Sequence, residues 1–439
     1  MAGPEPFPLY HDSRASSPFT SMQERMAKRR LPSYRLIAFA AVTSVVFLLF
    51  TFRGANEVPQ QPHVLQTPVM GMGHGNDIQN GTLGVSLINV DVETSHLTSP
   101  QFQQILAVNM PERTDRSDSM ILAAALSGLS MDFIDAVRGE TILDKALPPG
   151  EPRKHFAESN IGSWRAHINA LKEVVRRDLT SALILEDDAD WDIRIKEQLR
   201  EFALTSKALT QPLSSNPSSY ADSTFPRPQD ASSLANNLAF DSLPPTIAPQ
   251  ISPYGDNWDI LWVGHCGMKF PSVSTAGSEN IPKGRVLHFN DQTVPEREYM
   301  GSISDPFELK EQYPSHTRVT HHASDGICSL GYAVTQAGAR SLLYWLGLME
   351  MNANYDIMLR SVCEGTSGKG YHTCLTVQPG LFHHHRPAGN KSFESDISPH
   401  GNEYREKAMT DNIQKSVRMN FEGLLKGKTD FENQFPDKE

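Results

Sequence analysis

Five acids fall within seven consecutive positions: Glu186, Asp187, Asp188, Asp190 and Asp192. They follow the small and apolar run from Ser181 to Leu185, in the stretch SALILEDDADWD. Two carboxylates about 4 Å apart repel by roughly 4 kcal/mol at an effective dielectric near 20. A fold that gathers such groups at the mouth of a buried element needs a counter-ion, and a hard divalent cation with oxygen ligands is the natural one. In an extended strand Glu186, Asp188 and Asp190 point to one side and Asp187 to the other, so Glu-x-Asp-x-Asp presents several oxygens to one ion. From Asp188 the spacing opens like an EF-hand calcium loop, but Ile193 stands where glycine is needed and Leu199 where glutamate is needed. Two plainer readings stay open. Asp190 or Asp192 caps the helix that follows, or the acids form a solvated turn without a ligand.

The elements around this stretch must place it. QILAVNM reads as a short buried strand stopped by Pro111, and RSDSMILAAALSGL as a helix capped at Ser117 or Asp118 and ended by Gly128. MDFIDAV is a second strand. SNIGSWRAHINALKEVVRRDL is a second helix with Ile168, Leu171, Val174 and Val175 on one side. SALILEDD is the third strand, followed by a helix from about Asp192 to Lys207. WDILWVGHCG supplies another strand, and SLGYAVTQAGARSLLYWLGLM a strand leading through Gly338 into a helix. Strands alternating with helices predict an α/β fold on a mainly parallel, mixed sheet. Ligands in such sheets sit beyond the carboxyl ends of the strands, where these acids stand.

The chain has 439 residues, 39% hydrophobic and 21% charged, and a net charge of −11 from 51 acids and 40 bases. That balance, without a basic stripe interleaved with aromatics, excludes a general nucleic-acid binder. The uncharged run Leu36 to Phe52 spans about 25 Å as a helix, enough for a thin bilayer. Arg25, Lys28, Arg29, Arg30 and Arg35 precede it, which predicts a single-pass signal anchor with its N-terminus cytosolic and the remainder lumenal. Residues 1–35 read as a disordered tail and 53–102 as a stem rich in Pro, Gly, Gln and Asn. The domain proper is expected over 103–400, interrupted by a disordered surface insertion at 208–256 and followed by a polar tail at 401–439. Cys266, Cys328, Cys363 and Cys374 permit two disulfides in an oxidising compartment, with Cys363–Cys374 the nearest pair in sequence; buried free thiols are the alternative. The sequons at Asn80 and Asn390 lie on the same side of the anchor.

Taken in order, LAVNMPERTDR (106–116), DAVRGE (135–140), GSWRAHINAL (162–171), SALILEDDADWD, WDILWVGHCG, GYAVTQAGARSLL, NYDIML and SFESDI form an ordered set. The set resembles glycosyltransferase family 25, the lipopolysaccharide-type and procollagen galactosyltransferase group, in a membrane-anchored, fungal-like form. The resemblance implies a GT-A-like nucleotide-sugar fold over roughly residues 103–400. It implies a Mn²⁺ (or Mg²⁺) ion joining Asp188, with Asp190 and Glu186, to the diphosphate of a UDP-sugar, with Glu186 and Asp187 at the donor site. By the same resemblance Asn109, Arg113, Thr114 and Arg116 would touch the nucleotide, and Asp135 its base or ribose. His167 matches a family histidine, while Ser163 and Ala166 depart from the pattern around it. Asp356 is the implied base for the acceptor hydroxyl, with Asp325 in reserve. Of the run His383-His384-His385, one histidine would join the metal; His383 and His385 are the first choices. The function expected is transfer of a hexose, galactose by likeness, from a UDP-sugar to a hydroxyl of a glycan or glycoprotein, in the Golgi or endoplasmic reticulum. The alternative is a catalytically inactive lumenal glycan-binding or scaffold protein on the same fold.

Overall fold

The computed structural model describes residues 102–438 except 231, 235–236, 273–278 and 398–400. The expected tail, the anchor at 36–52, nearly all of the stem and the Asn80 sequon lie outside the described residues. Among the described residues no helix is long and apolar enough to cross a membrane.

The chain opens with β1 (Gln104–Asn109), α1 (Thr114–Leu126), β2 (Asp132–Asp135), α2 (Glu158–Arg176), β3 (Ser181–Glu186), β4 (Ala189–Trp191) and α3 (Ile195–Thr210). There follow β5 (Pro212–Leu213), β6 (Asn216–Tyr220), β7 (Asn237–Ala239), β8 (Ile260–Gly264), β9 (Arg285–His288), α4 (Glu308–Gln312) and β10 (Arg318–His322). Then come β11 (Gly331–Thr335), α5 (Gln336–Leu342), α6 (Tyr355–Cys363), β12 (Cys374–Gln378), β13 (Phe382–Arg386), β14 (Gly389–Asn390), β15 (Tyr404–Arg405), β16 (Met409–Thr410) and α7 (Phe421–Leu425).

The main sheet runs β2-β1-β3-β11-β8-β12-β10-β9-β7. β1 pairs in parallel with β2 and β3, β8 with β12 and β9 with β7. β11 is antiparallel to β3 and β8, and β10 to β12 and β9. Along this path β11 and β10 oppose the common strand direction, and beside it β13 pairs in parallel with β8 and antiparallel with β4 and β16. The carboxyl ends of β1, β3 and β8 come together at one edge.

Strand alternation builds two cores. Leu106, Ile184, Trp262 and Tyr332 face one side with Trp164, Ile168, Leu171 and Val174 of α2. Ala107, Leu183, Leu185 and Val263 face the other with Met120 of α1 and Phe202 of α3. Gly162 brings the start of α2 against the loop after β2; a Cβ there would meet the Val137 carbonyl at 2.7 Å.

Several expectations are corrected. α1 begins at Thr114, before Ser117, and no side chain caps it. α3 runs about three residues later than read. β12 ends at Gln378, before Pro379, and the three histidines of the run lie within a separate strand, β13. Residues 208–256, read as disordered from their lack of large apolar groups, carry β5 to β7 and close the sheet edge through β7. Their order comes from polar anchors and a few aromatics. Buried Asp222 accepts from Thr224 and from the Gly284 amide, and Tyr254 stacks on Phe102 at 4.7 Å. The polar tail after 401 is likewise structured and reaches the acidic stretch, as described below.

Candidate functional site

The strand containing the acids does not stay extended. β3 ends at Glu186, Asp187 and Asp188 form a turn, and β4 starts at Ala189. The turn divides the acids into groups with different surroundings.

Asp187 is taken by its neighbours: Arg116 Nη1 donates to it at 2.6 Å and Asn109 Nδ2 at 2.8 Å. Burial pushes its pKa up, and the Arg116 charge opposes that. Asp190 is fully buried and turned away. It accepts from Thr410 Oγ1 at 2.6 Å, from the Ser416 hydroxyl, and from the amides of Trp191 at 2.8 Å and Arg418 at 3.3 Å. Asp192 is paired with Arg194 at 2.7 Å and accepts from the Lys415 amide at 3.1 Å.

Glu186 and Asp188 remain. With His384 they form a group whose ligand atoms all lie within 4.8 Å of one another. Among the described residues Asp188 Oδ1 is buried without a hydrogen-bond partner, and the nearest cations to its other oxygen are Arg116 at 3.8 Å and Arg386 at 3.9 Å. Burial works to raise the pKa of Asp188, but His384, Arg116, Arg386 and Arg418 outweigh it and the net direction is downward. Two ionised carboxylates and an imidazole around an unpaired buried oxygen fit a divalent cation of the manganese or magnesium kind.

His167 of α2 supports this group from beneath. Its Nε2 lies 3.4 Å from Glu186 Oε1 and 3.2 Å from Ser329 Oγ, which itself donates to Glu186 at 2.8 Å. Its Nδ1 meets Tyr332 Oη at 3.2 Å, and its ring stacks on Tyr355 at 4.2 Å. Burial opposes ionisation of Glu186, but the His167 contact and nearby charge hold its pKa below the ordinary value. His167 thus orients a carboxylate.

These groups open into a cavity of about 580 Å³. Asn109, Arg113, Arg116, His167, Glu186, Asp187, Asp188 and Asp356 all line it, as do Ser163 and Ala166. Asp356, in the first turn of α6, accepts from the Cys328 amide at 2.8 Å and the Ile357 amide at 2.9 Å, so its carboxylate is held toward the cavity side of the turn. Two disulfides form, Cys363–Cys374 as first chosen and Cys266–Cys328. Cys266 and Cys328 line the cavity, and Cys266 Sγ is 3.8 Å from His384 Nδ1.

Other expected residues stand elsewhere. Thr114 and Asp135 are exposed and off the cavity wall; residues just after Asp135, from Ala136 to Glu140, line it instead. Asp325 is engaged by Arg360 and by Lys269 at 3.2 Å, away from the cavity. His383 and His385 face opposite to His384, because neighbours in a strand alternate. His383 is buried, which pushes its pKa down to about 3. His385 Nδ1 meets Thr410 Oγ1 at 3.0 Å.

The sequence reading keeps His384 among the three histidines but prefers its neighbours, and it misses Arg386, Asp396 and Arg418. Alternation in a strand starting at Phe382 separates His384 from its neighbours, though not which side faces the acids. Within SFESDI, Asp396 pairs with Arg113, and the Glu394 carbonyl accepts from Arg116 at 2.8 Å. Nothing in the sequence signals Arg418.

The mixed α/β sheet, with acids and a cavity at its carboxyl edge, fits a GT-A-like fold. Residues 102–229 match the model for glycosyltransferase family 25 (LPS biosynthesis protein). Procollagen galactosyltransferase 2 of Homo sapiens is 27% identical over 109 residues, 22% of this chain and 17% of that protein. Procollagen galactosyltransferase 1 of Danio rerio is 26% identical over 110 residues, 23% of this chain and 18% of its own length. Procollagen galactosyltransferase 1-A of Xenopus laevis is 28% identical over 112 residues, 23% and 18% respectively. The aligned part is under a fifth of each relative.

Proposed function

We propose that the protein is a divalent-metal-dependent glycosyltransferase that moves a hexose from a UDP-sugar to a hydroxyl of a glycan or glycoprotein. Galactose is the sugar suggested by the names of its relatives. The observation that carries this reading is the Glu186–Asp188–His384 group, with its unpaired buried oxygen, at the carboxyl end of β3 inside the cavity.

Glu186, Asp188 and His384 are the residues that would hold Mn²⁺ or Mg²⁺. When bound, such an ion offsets the charge that builds on a departing diphosphate, worth several kcal/mol in the transition state. Arg113 and Arg116 stand on the same wall and can fork onto phosphate oxygens. Asp187 holds Arg116 and Asn109 in place for that task. Asp356 is the carboxylate we assign to take the proton of the attacking hydroxyl.

A non-catalytic glycan-binding role would leave a buried, unpaired Asp188 oxygen without purpose, and such an atom is costly. We further propose that the apolar run 36–52 anchors the protein in a Golgi or endoplasmic reticulum membrane, single-pass and type II, with the folded domain lumenal. The two disulfides suit that compartment.

A donor screen tests the reading. Nucleotide sugars added singly, with and without Mn²⁺, should raise the melting temperature only for the true donor and more strongly with metal, by mass action. A chain that no nucleotide sugar stabilises, with or without metal, is not a sugar-nucleotide transferase.

A further inference from the structure

The segment after Met409 reaches the acidic turn from the far end of the chain. The Ile193 amide donates to the Lys415 carbonyl at 3.0 Å, and the Val417 amide to the Trp191 carbonyl at 2.9 Å. This lays Arg418 under the turn. Its Nη2 donates to the Asp187 carbonyl at 2.9 Å and to the Ala189 carbonyl at 2.8 Å, while Nη1 donates to Ser119 Oγ of α1 at 3.0 Å. The Asp188 carbonyl between them accepts from the His385 amide at 2.8 Å, next to His384. All three carbonyls of the turn are therefore fixed, two of them by one guanidinium.

Arg418 is buried, at 9% exposure, and among the described residues its Nε has no partner. A cation kept at this depth, incompletely satisfied, is destabilising unless the nearby carboxylates compensate it. Its electrostatic neighbours are the carboxylates of Asp190, Asp188 and Asp187, with the like charge of Arg116 opposing them.

We propose that Arg418 is the positioning residue of the cation cradle: by clamping the carbonyls on either side of Asp188 it sets where the Asp188 carboxylate stands relative to Glu186 and His384. The inference rests on the metal-dependent reading above. It makes the polar C-terminal segment part of the site's construction, although that segment supplies no ligand. Lysine cannot reproduce the arrangement, because a single ammonium lacks the planar fork that spans two carbonyls and a hydroxyl.

The test titrates Mn²⁺ alone into the full chain and follows the free-ion signal by electron paramagnetic resonance. Arg418→Lys should weaken Mn²⁺ binding by about tenfold or more, the scale of losing a residue that orients metal ligands. Ser119→Ala, which frees one arm of the fork and is a mild change, should weaken it in the same direction and serves if Arg418→Lys does not fold. Melting in EDTA is measured in parallel. A merely structural arginine would lower the melting temperature and leave the Mn²⁺ affinity of the folded protein as in the wild type. Unchanged affinity in the variants overturns the inference alone. A wild-type chain that binds no Mn²⁺ overturns the metal reading and the inference with it.

Discussion

Asp190 separates an anchor from a ligand. The sequence pattern puts it beside Asp188 on the ion; the structure buries it among four donors, the Thr410 and Ser416 hydroxyls and the Trp191 and Arg418 amides. Asp190→Ala leaves those donors without an acceptor and removes a carboxylate from beside the buried Arg418 charge. Each buried donor left unsatisfied costs about 1–3 kcal/mol, roughly 4 kcal/mol for the group, and the contact with His385 Nδ1 at 3.5 Å is lost with them. In a domain of this size ~4 kcal/mol corresponds to a melting temperature lower by roughly 6 °C. Asp188→Ala is the matched control. Its Oδ1 has no partner and its nearest cations lie at 3.8 and 3.9 Å, beyond hydrogen-bond reach. It should therefore melt within about 2 °C of the wild type, since little is lost beyond weak charge contacts. Calorimetry of both variants in EDTA gives the comparison. An Asp190→Ala protein as stable as the Asp188→Ala one would refute the assignment of Asp190 as an anchor.

Asp356→Asn should lower turnover by about 10²–10⁴-fold, as for loss of a general base, with donor affinity unchanged; single-turnover kinetics and donor titration read the two quantities separately. Glu201 has its carboxyl pushed up from 4.5 to about 7, first by burial and then by the Asp291 charge. A carboxyl raised on folding contributes stability that is full below its unfolded pKa and lost as pH rises through the folded one, here from about 4.5 to about 7. Glu201→Gln should flatten that fall by ~1 kcal/mol after solvent screening, and equal pH slopes of the urea midpoint in variant and wild type would count against it. Cys266 and Cys328 are 62 residues apart and Cys363 and Cys374 are 11 apart. Chain entropy then makes the first disulfide worth ~4 kcal/mol and the second ~3 kcal/mol, so the double Cys→Ala variant of the longer loop should unfold at the lower denaturant concentration.

What could be read from the chain follows from the force that holds each part. β1, β3, β8 and β11 are apolar runs buried on both faces, and α2 shows a clear apolar stripe, so burial announces them. The acids announced a charged site at a strand end, and Glu186, Asp187 and Asp188 are there. Their division was not legible, because the extended pattern breaks at the turn after Glu186 and Asp190 then belongs to a different strand. The choice among His383, His384 and His385 depends on which face of β13 meets β4, and that is set by pairing between residues nearly 200 positions apart. Residues 401–438 have no apolar period to show. Arg418, Ser416 and Thr410 are held by hydrogen bonds to the acidic stretch and its backbone, which leave no local mark in the sequence.

The central claim is that Glu186, Asp188 and His384 hold a divalent cation. A crystal of the protein soaked in Mn²⁺ with UDP, with diffraction recorded at the manganese edge, tests it directly. The account predicts one anomalous peak in contact with all three side chains and with the nucleotide's phosphates. Nucleotide bound in the cavity with no such peak, and Asp188 instead drawn onto Arg116 or Arg386, would contradict it.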